Sequence, residues 1–383
     1  NAGASNVYFY PDTDNNSATS AFTRTSGTVT ATLTRFYFPA SSITAFTLAG
    51  IDASAGTSNA IEVGVGAVAA NSPASVSITG DVTSNSSISM NSLGTITQNA
   101  NLDANGGAAT VYFYPDIDNS GTATFTHTSG TITATNTYFF FPAISVTAFT
   151  LAGVDASTGT SNSIYVGNSS SNSPASITLS GAVTGNDGVH VRSLGDITQN
   201  AAITANAGAG AVNFYPDIDN NSATSTFIHT SGTITAADTR FYFPASSTTD
   251  FVLAGIDASL GTTNVIDIGV AAGTSPASVH ITGAMTSNAY VNIRSLGDIT
   301  QDADITADSG NNNVDFYPDA DNNSATSTFT RASGTVTAAH AYFYFPASSA
   351  TAFTLEGLDA SAGTSNNIDV GVATATSPAS VTL

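Results

Sequence analysis

The chain has 383 residues, only 9% of them charged, with 27 Asp+Glu against 6 Lys+Arg for a net charge of −21, and it contains neither Cys nor Trp. This balance excludes a nucleic-acid track and an anionic membrane surface as partners, because both need clustered Lys and Arg. Without Cys there are no disulfides, thiolate nucleophiles or zinc–thiolate sites, and no apolar run reaches the roughly 18 residues of a membrane-spanning helix.

The chain opens on "NAGAS", in mid-pattern and without an initiator Met, and reads as a piece of something longer. Its first element is "VYFYPDTDNN", residues 7–16. Val7 and Phe9 form an apolar pair on one side of a strand that Pro11 ends. A Gly-marked strand, "SGTVTA" (26–31), follows, and then a second apolar pair, Phe36/Phe38, within "RFYFPASS". The pattern continues through "AGIDAS", Ile61/Val63, "TGDVTS", Ile88/Met90 and "LGTITQ", and returns to Val111/Phe113. Thr, Ser, Val, Ile, Phe, Gly and Asn dominate throughout, which favours strands and turns.

The return is a repeat. "VYFYPDTDNNSATS", "VYFYPDIDNSGTAT", "VNFYPDIDNNSATS" and "VDFYPDADNNSATS" begin at 7, 111, 212 and 314. The repeats therefore span 7–110, 111–211, 212–313 and 314–383, the last incomplete. Within the first, the apolar pairs are spaced by 29, 25, 27 and 23 residues. Such steps are too long for hairpins and carry no helix for βαβ units. They suit one full coil of a solenoid in which each strand pairs in parallel with its equivalent one coil later. The expected fold is all-β: a right-handed parallel β-solenoid (β-helix) with coils of 23–29 residues, about 15 in number, roughly four per repeat of about 102 residues. Residues 1–383 would form a single continuous solenoid. After Val the repeats read Tyr8, Tyr112, Asn213 and Asp315, then invariably Phe9, Phe113, Phe214 and Phe316, so period-2 alternation puts the Phe column inside.

Two outward features are candidates for binding. Closely spaced Asp and Asn oxygens suit Ca²⁺, and the loops carry Asp12, Asp14 and Asn16; Asp116 and Asp118; Asp217, Asp219 and Asn221; and Asp319, Asp321 and Asn323. The "DIDNSG" copy at 116–121 comes nearest to a metal loop. A third Asp, a fixed Gly and a closing Glu are missing, so the same residues also read as an Asx-rich turn whose side chains cap backbone N–H groups. The second feature is Tyr10, Tyr114, Tyr215 and Tyr317, expected to face outward where they would stack on sugars, on a neighbouring fibre, or simply on the adjacent coil.

The reading is non-enzymatic and requires no cofactor; calcium is the one it admits. Equivalent residues would stand about 19 Å apart along the axis, too far to share a catalytic site. His127 and His229 share a column with Arg24 and Arg331, and all five histidines are expected on the surface. Arg24 and Arg331 lie ten residues past Asp14 and Asp321 and are expected to screen the acidic loop. Asp52, Asp155, Asp257 and Asp359 form a second acidic column, expected as solvated strand residues or turn caps.

At "SLGDITQNAAITANAGAGAVNF" (193–214), and again at 92–107 and 295–310, the chain resembles the repeat regions of filamentous-haemagglutinin-type bacterial adhesins. The resemblance implies a right-handed parallel β-helix, secreted and displayed on or shed from a Gram-negative cell surface. The expected role is a structural rod in an extracellular adhesin stalk or surface fibre. The alternatives are a self-assembling filament subunit and a calcium- or glycan-binding repeat module. Expected partners are further copies or further covalent repeats end to end, and host or neighbouring-cell glycans; nucleic acid and membrane insertion are not expected.

Overall fold

The computed structural model describes residues 5–56, 58–65, 69–365, 367–371 and 377–383. It is all-β, with about 14 turns of parallel β-solenoid. Two compact units are present, Asn1–Arg192 and Ser193–Leu383. Each coil contributes one short strand to a first sheet and one longer or two-part strand to a second. Among the described residues the only helical pieces are 3₁₀ turns of three residues.

In the first unit, the first sheet begins with Val7–Phe9, Leu33–Phe36, Ala60–Val63, Ile88–Asn91 and Thr110–Tyr114, each parallel to the next. In the second unit the corresponding strands are Ala211–Tyr215, Asp238–Phe241, Val265–Ile268, Val291–Arg294 and Val314–Tyr317, again each parallel to the next. Apolar side chains point inward at every second residue. Phe113, Phe214 and Phe316 are fully buried, as period-2 alternation requires. Each stacks on a phenylalanine of the next coil, Phe139, Phe241 and Phe343, with ring centroids 5.0, 5.1 and 4.9 Å apart. Phe125, Phe227 and Phe329 of the second sheet meet these rings edge-on and close the interior.

The register corrects one expectation. The apolar pair facing Val7/Phe9 is Thr34/Phe36, not Phe36/Phe38, and the pair facing Val212/Phe214 is Thr239/Phe241. A slip of two residues leaves the inward set unchanged, so the pattern alone does not reveal it. Thr34 takes an interior position because its hydroxyl donates to Asn59 Oδ1 at 2.8 Å, while Asn59 Nδ2 donates to the Val29 carbonyl at 2.7 Å. Thr137–Asn162 and Thr239–Asn264 repeat the device at 3.0 and 2.8 Å. Phe38 lies past the strand end and packs against Phe46, ring centroids 5.1 Å apart.

The second sheet differs in extent from the Gly-marked segments. Its strands begin before the glycine, as in Ala45–Ala53 and Ser75–Ser84. The glycine sits inside, where the register shifts between Leu48 and Ala49. Across that bulge a Cβ on Gly80 would lie 2.7 Å from the Ala49 carbonyl carbon, closer than real Cβ atoms come. The same bulge recurs between Leu151 and Ala152 and between Leu253 and Ala254.

Candidate functional site

Proline ends the first-sheet strand and the chain enters the Asp-Asn loop. Asp12, Asn15 and their counterparts Asp116/Asn119, Asp217/Asn220 and Asp319/Asn322 all adopt left-handed backbone angles, which Asp and Asn tolerate better than other non-glycine residues. The first Asp of each loop turns inward. Asp116, Asp217 and Asp319 are fully buried. Asp116 Oδ1 accepts from the Ser120 N–H at 2.8 Å and from its hydroxyl at 2.6 Å. Its Oδ2 accepts from the Gly121 N–H at 3.1 Å and from Thr147 Oγ1, one coil later, at 2.5 Å. Burial pushes the Asp116 carboxyl up, but the hydrogen bonds from Ser120, Thr147 and Gly121 outweigh it and hold the group below the usual carboxylate range. Thr44, Thr249 and Thr351 donate in the same way to Asp12, Asp217 and Asp319.

The second Asp stays near solvent. Asp14, Asp219 and Asp321 each accept from the side-chain amide of Asn16, Asn221 or Asn323. Burial, and then the neighbouring Asp116 or Asp217, raises the carboxyls of Asp118 and Asp219. The middle asparagines bridge forward: Asn15, Asn119, Asn220 and Asn322 accept from the N–H of Ile43, Val146, Thr248 and Ala350. Ca²⁺ takes six to eight oxygens. Here the inner carboxylate is already committed to the fold, and among the described residues no three His, Cys, Asp or Glu side chains gather to hold a metal. The geometry is that of a turn capped by the Asp carboxylate, which accepts from N–H groups four and five residues on.

The tyrosines lie on the outer surface of the first sheet but are not free-standing. Tyr10 is 58% exposed, whereas Tyr114, Tyr215 and Tyr317 are half-buried. Tyr10, Tyr215 and Tyr317 stack on Tyr37, Tyr242 and Tyr344 at 5.2, 4.9 and 5.0 Å. Tyr114 meets Phe140 at 5.6 Å with the rings inclined by 49°. One coil further on, the register pairs Phe36 with Val63 and Phe139 with Val166, and the next residues on the facing strands' ends are Gly64 and Gly167. Small cavities open beside three of these four ring pairs. One of about 320 Å³ is lined by Tyr114, Ile117, Phe140, Phe141, Pro142 and Asn172. Another of about 180 Å³ is lined by Tyr10, Thr13, Tyr37, Phe38, Pro39 and Asn71. In the second unit, Tyr317, Tyr344, Phe345 and Pro346 line a third with Arg294, whose guanidinium carbon sits 4.1 Å from the Tyr317 ring centre.

The basic columns take other partners than the acidic loop. Arg24 and Arg331 pair with Asp52 and Asp359 at 3.2 and 3.3 Å, not with Asp14 and Asp321. Strand pairing brings the next coil beside the arginine, which ten residues of intervening chain do not achieve for the loop. His127 Nε2 and Arg24 Nε hold the carbonyls of Gly130 and Gly27, both at 2.6 Å. Asp52 and Asp257 also receive Ser54 and Ser259, so the second acidic column consists of turn caps. His190 departs from a plain surface position: it is half-buried, its ring stacks 4.5 Å from that of Tyr165, and burial pushes it down to about 4.

Two features escaped the sequence pattern. The threonines that clamp the inner Asp stand 31 or 32 residues downstream of it, and only their recurrence in "S-x-T" before each second-sheet strand marked them. The run of outward rings Tyr112, Tyr138 and Tyr165 was hidden because its members come from three coils of different local sequence. No family model, curated protein or solved structure matches the chain.

Proposed function

We propose that the chain is a non-catalytic structural segment of an extracellular bacterial adhesin stalk or surface fibre. The observation that carries this reading is where the recurrent side chains go. The Phe stack and the Asp–Thr clamp return in each repeat, and in each they are turned inward to join one coil to the next. Residues kept for cohesion between coils suit a spacer whose task is to hold length. The resemblance of the "SLGDITQ" segments to filamentous-haemagglutinin-type repeats points to the same setting. The low charge and absence of Lys leave few sites for trypsin-like cleavage, an advantage outside the cell. Immunogold labelling of intact producing cells with antibody against this chain tests the reading. Label on surface fibres is expected, and label confined to the cell interior overturns it.

A further inference from the structure

We propose that the cavity between Tyr114, Phe140 and Pro142 binds a residue of a linear, uncharged glycan, and that the cavity at Tyr10, Tyr37 and Pro39 binds a second residue of the same glycan chain.

The wall chemistry selects this ligand class. Rings inclined by 49° leave a wedge that an apolar C–H face of a sugar can enter, and Phe141 and Pro142 extend the apolar wall. Asn172 adds a polar group of fixed aim. Its Oδ1 accepts from the N–H groups of Asn168 and Ser169 at 2.7 and 2.9 Å, which holds the amide in place. Its Nδ2 has no partner among the described residues and can donate to a hydroxyl. Apolar walls with one or two placed polar groups are what a small-ligand site consists of. Charge narrows the class further. The chain carries −21, and Asp118 follows Ile117 of the cavity wall directly, so carboxylated or sulfated glycans are repelled.

The repetition selects a polymer. Four strand-to-strand steps lead from Phe9 through Phe36, Val63 and Met90 to Phe113 within one unit. At about 4.8 Å per step the two cavities stand on the order of 19 Å apart along the strand ladder. A linear chain long enough to reach both gains from joint engagement, which a single sugar does not. The inference stands apart from the stalk reading, since a filament subunit would carry the same cavities.

The test is calorimetric titration of the whole chain with xylo-, cello- and manno-oligosaccharides of two to eight units, and with alginate and hyaluronan as anionic controls. At least one neutral series is expected to bind, tightening by tenfold or more once the oligosaccharide spans both cavities. Phe140→Ala should weaken binding at least tenfold, and Tyr37→Ala should abolish the gain with length. Asn172→Asp keeps the oxygen that orders the turn and removes the donor; it should weaken binding severalfold with an unchanged circular dichroism spectrum. The proposal is overturned if no neutral series binds, if the anionic polymers bind as well, or if folded variants bind like the parent.

Discussion

Asp116 and Thr147 are separated by 31 residues of chain, yet the Thr147 hydroxyl donates to the buried Asp116 carboxylate at 2.5 Å. The contact locks the loop that leaves one coil to the start of the second-sheet strand in the next. It also gives the recurrent first Asp a task within the fold: a buried carboxylate is tolerated only with its lone pairs satisfied, and these are.

Removing either partner should therefore cost stability. Asp116→Ala leaves two backbone N–H groups and two hydroxyls without this acceptor, an expected loss of about 3 kcal/mol, and Thr147→Val should cost about 1–2 kcal/mol. In a double-mutant cycle the two should couple by about 1–3 kcal/mol. Solenoid coils open locally, so hydrogen exchange over residues 110–150 is the appropriate measurement; additive losses would contradict the clamp.

The loops should hold without calcium. With the inner carboxylates already bonded to Ser120, Thr147 and their equivalents, the melting midpoint is expected to stay unchanged between excess chelator and millimolar Ca²⁺. A rise of several degrees with calcium would identify the loops as metal sites.

Two half-buried titrating groups should give opposite pH slopes. Burial raises Asp315 from 3.8 to about 6, against the pull of Arg294, so the folded state holds this proton more tightly than the unfolded chain. Its contribution therefore falls as pH rises from about 4 to about 6 and is flat above that. His190, lowered from 6.5 to about 4 by burial and by Arg192, behaves oppositely: stability is complete above 6.5 and is lost as pH falls toward 4. Asp315→Asn should abolish the first slope and, after discounting for solvent screening, add about 1–2 kcal/mol at pH 7. Hydrogen exchange resolved by segment between pH 4 and 7 would reveal both trends.

The register can be checked chemically because the chain has no cysteine of its own. Asn213 lies directly across from Arg240. The pair Asn213→Cys and Arg240→Cys should cross-link under mild oxidation, whereas Asn213→Cys with Tyr242→Cys should not. The reverse result would restore the pairing of Val212/Phe214 with Phe241/Phe243.

Core truncation should rank by stacking. Phe139→Ala removes a fully buried ring packed against Phe113 and Phe125 and should cost about 3–5 kcal/mol. Tyr112→Ala, on the outer side of the same sheet, should cost less than half of that. Urea denaturation of each variant gives the comparison.

By itself the sequence determined the class of fold, the coil as its unit and the side of each first-sheet strand that faces in. The reason is that periodicity and side-chain alternation are local properties: Phe113 and Tyr112 differ in environment because they are neighbours on a pleated strand. It also marked the Asp-Asn loop and the tyrosine before each proline as the distinctive outward features. Tertiary structure alone decided which coil-mates meet. A two-residue slip preserves alternation, so nothing local separates Thr34 from Phe36 as the partner of Val7. The hydrogen bond from Thr34 to Asn59, the clamp from Thr147 to Asp116 and the pairing of Arg24 with Asp52 each join residues 25 to 31 positions apart. Such contacts exist only once backbone hydrogen bonding has fixed one coil upon another.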